Sequence, residues 1–169
     1  MRGGRGTVDG VLIRAARAED AQAICELHVA AIREVCAAHY EAAAVKVWIA
    51  GKTAARYVAA MESNVMVVAE ADGGEVVGFG DLHVESAEIR AVYVRPDRVR
   101  HGIGAALLEA IEMAGRERSL RRLQLRSTLN AIEFYRARGY SLDEMTVFEL
   151  SAGVVLPCAR MHKSLARVV

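Results

Sequence analysis

The sequence predicts an α/β (α+β) fold: a mixed, mostly antiparallel sheet of about seven strands flanked by about four helices. Three observations predict it. The apolar period changes along the chain, from the helical spacing of Ile24, Leu27, Ala31, Ile32 and Val35 to the β-branched run Val65 to Glu70. A hairpin signal, Asp72-Gly73-Gly74, follows directly. The whole series then reads β-α-α-β-β-β-α-β-α-β-β, which suggests a mixed sheet covered by helices.

A chain of 169 residues suits one domain, 53% apolar and 25% charged as expected of a globular core. That domain is expected over residues 11–169. Met1 to Gly10, rich in Gly and Arg, is expected to be a flexible tail or a translation start placed too early; it lacks the apolar region of a signal peptide. A net charge of +1 argues against an extended nucleic-acid surface. No apolar run approaches the ~20 residues of a membrane span. Cys25, Cys36 and Cys158 form no Cys-x-x-Cys pair, and their odd number argues against a disulfide framework. They are expected as reduced, mostly buried thiols of a cytoplasmic protein. His and Cys are scattered without ligand spacing, so no metal site is expected.

Val11 to Arg14 reads as a first strand. Glu19 and Asp20 put negative charge in the first turn of a helix that ends near His39-Tyr40. A second helical stretch carries Val45, Trp48 and Ile49, with Gly51 interrupting it before Tyr57 to Met61. After strand Val65 to Glu70 come strands Val76 to His83 and Glu88 to Val94, the last ended by Pro96. Ile103, Ala106, Leu107, Ala110, Ile111 and Ala114 form an amphipathic helical stripe. Leu123 to Arg126 is a short strand and Asn130 to Arg138 a short helix. Asn130 stands as N-cap with Glu133 three residues on, and Gly139 as the C′ glycine. Strands near Glu144 to Leu150 and Pro157 to His162 close the chain.

Between the fourth β segment and the amphipathic helix lies Arg98-Val99-Arg100-His101-Gly102-Ile103-Gly104-Ala105. Free N–H groups and the positive dipole end at a helix start make an anion site, and glycines admit close approach of a ligand to backbone. A tight turn packed with small residues explains the same letters. The Walker pattern is absent, and Leu107 occupies the third glycine position of the dinucleotide fingerprint.

This segment resembles motif A of the GNAT superfamily of acetyl-CoA-dependent N-acetyltransferases, Gln/Arg-x-x-Gly-x-Gly/Ala. Val99 stands where that motif has Gln or Arg. The resemblance implies that the backbone from Val99 through Arg100, His101, Gly102, Ile103, Gly104 and Ala105 holds the pyrophosphate of acetyl-CoA. Arg98 or Arg100 supplies charge in place of the missing side chain. Asn130-Ala131-Ile132-Glu133-Phe134-Tyr135, followed by Gly139-Tyr140, resembles a second signature of the family. It implies that Asn130 bonds the pantetheine arm or a water, that Phe134 lies at the coenzyme, and that Tyr135 protonates the leaving thiolate. Without the resemblance, Phe134 and Tyr135 read equally as core aromatics and Asn130 as a cap. The family also splays the strand Glu88 to Val94 from its neighbour, which implies a free amide at Val92, Tyr93 or Val94 for the acetyl carbonyl.

Acyl transfer to an amine needs a base, an oxyanion donor and an acid for the leaving group. Glu88 lies 14 residues before Gly102, the spacing of the base in the histone-acetyltransferase branch of the superfamily. A carboxylate in a partly apolar cleft can take the proton directly or through water; a solvated glutamate at a strand start is the plainer reading. His28, His39, His83 and Asp81 are other candidates. His28, His39, Tyr40 and Trp48 fall where the family forms its acceptor site.

The expected activity is acetyl transfer from acetyl-CoA to a primary amine, on a small molecule or a peptide, by direct attack in a ternary complex. A non-catalytic acyl-CoA-binding sensor or interaction domain is the alternative. No nucleic-acid or membrane partner is expected. Homodimers are common in the family, and nothing in the chain declares one.

Overall fold

The computed structural model describes residues 7–8, 10–151 and 153–166. The elements run β1 (Thr7–Val8), β2 (Val11–Ala15), α1 (Ala21–Ala31), α2 (Ala42–Ala50), α3 (Ala54–Ser63), β3 (Asn64–Glu70), β4 (Val76–His83) and β5 (Glu88–Val94). They continue α4 (Ile103–Glu117), β6 (Arg122–Ser127), α5 (Ile132–Arg136), β7 (Ser141–Ser151) and β8 (Val154–Ser164). One sheet holds all the strands in the order β1-β2-β3-β4-β5-β6-β8-β7. The first strand is an addition to the expected set: Thr7 and Val8 pair with Leu12 and Val11. The rest of the tail expected through Gly10, residues 1–6 and 9, lies outside the described residues. The other addition is a helix, since the second helical stretch divides into α2 and α3 at Gly51.

The sheet is antiparallel except at its middle. There β5 runs parallel to β6, with α4 as the crossover, and the register holds only at Glu88↔Gln124 and Ile89↔Leu125. Beyond Ile89 the two strands part. On its other edge β5 stays paired with β4 from Gly78↔Val94 to His83↔Glu88, with a shift between Asp81 and Leu82 that leaves Arg90 as an extra residue. Such a bulge bends its strand away from the regular ladder, which here widens the gap toward β6.

Two cores flank the sheet. Leu107, Leu108 and Ile111 of α4 pack against Leu82, Ile89, Leu123 and Leu125. On the opposite face Ile24 and Leu27 of α1 and Tyr57 of α3 pack against Val68, Phe79 and Ala91. Gly78 and Gly80 of β4 let α4 lie close: a Cβ at Gly80 would stand 2.5 Å from Ile111 Cδ1, and one at Gly78 3.0 Å from Leu107 Cδ1. A third cluster joins Val45 and Trp48 of α2 to Leu156 of β8 and to Ile32 and Cys36. Those last two belong to a π-helical turn, Ile32–Cys36, which continues α1.

Pro157, expected near the start of the last strand, sits inside a longer β8 opposite Val147. The pairing of β6 with β8 reaches no further than Ser127↔Ala159, so earlier residues of β8 have an open edge that tolerates a missing N–H.

Candidate active site

Gly102 caps α4 with φ 76°, a left-handed backbone that favours glycine. Arg100, two residues earlier, is also left-handed at φ 66°. This tight path brings the chain onto the end of α4. The first intrahelical bond is Ala106 N–H to Gly102 O at 3.1 Å, so the N–H groups of Ile103, Gly104 and Ala105 precede the ladder and are available to an anion. Gly104 faces the ring of Phe134: a Cβ there would meet Phe134 Cε2 at 3.3 Å and Cζ at 3.4 Å. The guanidinium of Arg138 lies over that ring, 4.0 Å from its centroid.

These groups border one cleft of about 480 Å3 between the parted strands, walled also by Val92, Val94, Cys36, Asn130 and Tyr135. Strand geometry assigns the amides. Arg95 N–H donates to Val77 O at 2.8 Å, toward β4. N–H groups alternate edges along a strand, so Tyr93 also points its amide to β4, opposite Phe79. Val92 and Val94 point theirs into the gap. Of the three positions that span the expected free amide, the alternation leaves Val92 and Val94. The Tyr93 ring packs on His28, with centroids 4.0 Å apart.

Asn130 is not a helix cap. Thr128 leads a 3-10 turn, Leu129–Ala131, and Ala131 then precedes α5 without a side-chain cap. The expected partner Glu133 is taken by Arg136 at 2.6 Å. Asn130 is thereby free to turn inward, where its Oδ1 is buried without a hydrogen-bond partner. A buried carbonyl left unpaired is costly, and an amide N–H from a bound ligand would satisfy it. Asn130→Ala is expected to weaken acetyl-CoA binding about 10-fold, read by titration calorimetry.

Tyr135 is 7% exposed and walls the same cleft. Its ring meets Phe134 and Tyr140 edge-on at 5.0 and 5.5 Å. Burial pushes its phenol well above the ordinary range, which keeps the proton on oxygen. Cys36 lies in this cleft as well, and burial pushes its thiol up to about 11. All three cysteines are free, and Cys36 and Cys158 are buried as expected.

A second pocket of about 400 Å3 adjoins the first, with Ile89, Arg90, Tyr93, Arg126 and Thr128 on both walls. Trp48, Tyr40 and His28 line it. Tyr40 stacks edge-on against Trp48 at 5.7 Å and accepts Leu129 N–H at 2.9 Å. His28 is bonded through Nδ1 to Tyr57 at 2.8 Å, and burial holds its pKa well below the usual value. Glu88 also lines this pocket, 3.0 Å from Arg126 and 4.0 Å from Arg90.

His39 does not belong to the site: it ends a 3-10 turn, exposed, outside both pockets. Ile103 is buried under the glycine turn and His101 is exposed beside it, so neither side chain walls the cleft and only their backbone can contribute. Asp81 is bonded to Asn64 at 2.7 Å and His83 to Ser86 at 2.7 Å, both away from the pockets. Lys52, Arg56, Arg126, Phe148 and Cys158 join the second pocket without any signal in the sequence. They come from separate elements, and no spacing connects them. Among the described residues no group of His, Cys, Asp and Glu is placed to hold a metal ion, and no helix is long and apolar enough to cross a membrane.

Residues 62–142 match the acetyltransferase (GNAT) domain family. The chain is 47% identical over 79 residues to the uncharacterized protein YxbD of Bacillus subtilis, a match that covers 45% of the chain and about half (50%) of that relative's length. Among solved structures, one from Rhodopseudomonas palustris, described both as a GCN5-related N-acetyltransferase and as a class-II aminotransferase, is 28% identical. It superposes with a TM-score of 0.86 over 96% of this chain and 100% of its own. The PaiA N-acetyltransferase of Thermoplasma acidophilum, solved with coenzyme A, is 19% identical with a TM-score of 0.76 over 91% and 98% of the two chains. The putative acetyltransferase yncA of Salmonella typhimurium, solved with acetyl-CoA, is 20% identical with a TM-score of 0.71 over 95% and 97%. At such identities the last two are evidence of fold alone.

Proposed function

We propose that this chain, whose residues 62–142 match the acetyltransferase (GNAT) domain family, transfers the acetyl group of acetyl-CoA to a primary amine by direct attack within a ternary complex. The observation that carries this reading is a single continuous groove. It runs from the free amides of α4, past Asn130 and Tyr135, to a gap in the sheet that opens on a second pocket. The residues fit acetyl-CoA in chemistry: amides for phosphate, an unpaired carbonyl for a pantetheine N–H, and a cradle kept open by Gly104. Acetyl-CoA supplies an acetyl group activated as a thioester.

The protein's part follows from the placement of its own groups. The amides of Val92 and Val94 donate to a carbonyl oxygen that gains negative charge. Glu88, on the acceptor side, takes the proton released from the amine nitrogen as the new N–C bond forms. Tyr135, held protonated by burial, gives its proton to sulfur as the C–S bond breaks. Direct attack is favoured over an acyl-enzyme because Cys36, the thiol of the coenzyme cleft, is kept in its neutral form.

The test is a turnover assay with acetyl-CoA across amine classes, paired with calorimetry of coenzyme binding. Glu88→Gln is expected to lower kcat about 100-fold and leave acetyl-CoA affinity unchanged. A rate within twofold of the parent removes Glu88 as the base. Acetyl-CoA binding with no acceptor turned over would instead support a non-catalytic sensor.

A further inference from the structure

The second pocket has an uneven charge. Lys52, Arg56, Arg90 and Arg126 stand on its wall against one carboxylate, Glu88. Glu88 is already paired with Arg126 and Arg90. That leaves Lys52 and Arg56 at the α2–α3 junction with no acidic partner within 4.0 Å among the described residues. The only bond of Arg56 is to a backbone carbonyl, Gly51 O at 2.7 Å. Neither side chain borders the coenzyme cleft, so they do not serve the phosphates there.

Lys52 is half-buried where most surface lysines are exposed, while Arg56 beside it is exposed. Lys52 is partly buried, and burial together with nearby Arg56 holds its pKa down to about 8. An ammonium kept out of water without a counter-charge is unfavourable. A ligand that brings an anion relieves it. The same field acts on the acceptor's amine: surplus positive charge disfavours an ammonium and favours the neutral, nucleophilic form. A polycationic acceptor meets repulsion at both ends. The remaining walls, Tyr40, Trp48, Tyr93 and Phe148, offer aromatic surface to a compact carbon body.

Resting on the acyl-transfer reading, we propose that the acceptor is a small amine that also carries an anionic group, such as a carboxylate, held by Lys52 and Arg56 with its amine toward Glu88. The reacting nitrogen and the anion then lie on different walls of one pocket, as in an amino acid with a modest side chain.

Matched acceptors test this: an apolar or aromatic α-amino acid, the corresponding amine without its carboxylate, and a polyamine. The expected result is a kcat/KM for the carboxylated member about 10- to 100-fold above that of its decarboxylated partner, the range one charge-assisted pairing supplies. The polyamine should be poorer than either. In Lys52→Met the preference collapses toward unity through a raised KM for the carboxylated member, and Lys52→Arg restores it. Acetyl-CoA affinity of each variant, read by calorimetry, reports that it is folded. Equal or faster turnover of the decarboxylated amine or the polyamine, with normal acetyl-CoA binding, overturns the anionic-acceptor proposal alone. A preference untouched in folded Lys52→Met does the same. Absence of acetyl-CoA binding in the parent protein overturns the acyl-transfer reading and this proposal with it.

Discussion

Tyr135→Phe is expected to lower kcat about 100-fold while leaving acetyl-CoA affinity within about twofold of the parent. The substitution deletes one oxygen from a side chain that is otherwise packed between Phe134 and Tyr140. The hydroxyl makes no hydrogen bond to a described residue, so its removal breaks no internal network and stability should hold. What is lost is a proton donor at the wall of the coenzyme cleft. Because burial keeps the phenol protonated, the donor is in its competent form throughout the neutral range. Steady-state kinetics give kcat, and calorimetry with acetyl-CoA separates chemistry from binding. An unchanged kcat would mean that sulfur leaves without help from this residue.

Gly104→Val should act on the other half of the problem, weakening coenzyme A binding on the order of 100-fold, about what one strong charge-assisted hydrogen bond contributes. A Cβ at this position already stands 3.3 Å from the Phe134 ring and 3.7 Å from Val94 Cγ2. Two further methyl groups force Phe134 aside or project into the space in front of the Gly104 and Ala105 amides. Gly104→Ala should fall between the two. Calorimetry with coenzyme A reads the effect directly. Parent-like affinity in the valine variant would place the phosphates elsewhere than at the start of α4.

How far the site was legible follows from how local each signal is. Strands Val76–His83 and Glu88–Val94 were delimited to the residue, since turn residues and Pro96 bracket them. The glycine turn was legible because Gly102 needs a backbone that other residues resist. Gly139, at φ 86°, was placed for the same reason. Asn130 was misassigned as a cap because Asn-x-x-Glu is a local pattern that a 3-10 turn can override. The bulge at Arg90 left no trace, since one extra residue in Ile89-Arg90-Ala91-Val92 disturbs an alternation too short to reveal it. That bulge shifts the alternation along the strand, so which of Val92, Tyr93 and Val94 turns its amide to the gap is legible only in the fold. The acceptor pocket was least legible. Trp48 and His28 were reached through resemblance, while Lys52, Arg56 and Phe148 converge only after the chain folds.

The parting of β5 from β6 has a mechanical consequence. Through the backbone ladder, the two halves of the sheet are joined at two residue pairs near Glu88 and Ile89. With α4 packed across both halves, a ladder fastened so narrowly is expected to act as a hinge between two plates. The first pocket is bounded by β5 on one plate and by Asn130 and Tyr135 on the other. A molecule gripping both is a splint across the joint. The second pocket straddles the same joint, with Arg90 on one plate and Arg126 on the other. Loading the first pocket is therefore expected to set the spacing of the second. The amide of Gln124, bonded to Ala87 O at 3.0 Å, sits at the hinge pin. Its hydrogen exchange should slow when coenzyme A is added, and exchange indifferent to coenzyme A would show the plates to be rigidly set beforehand.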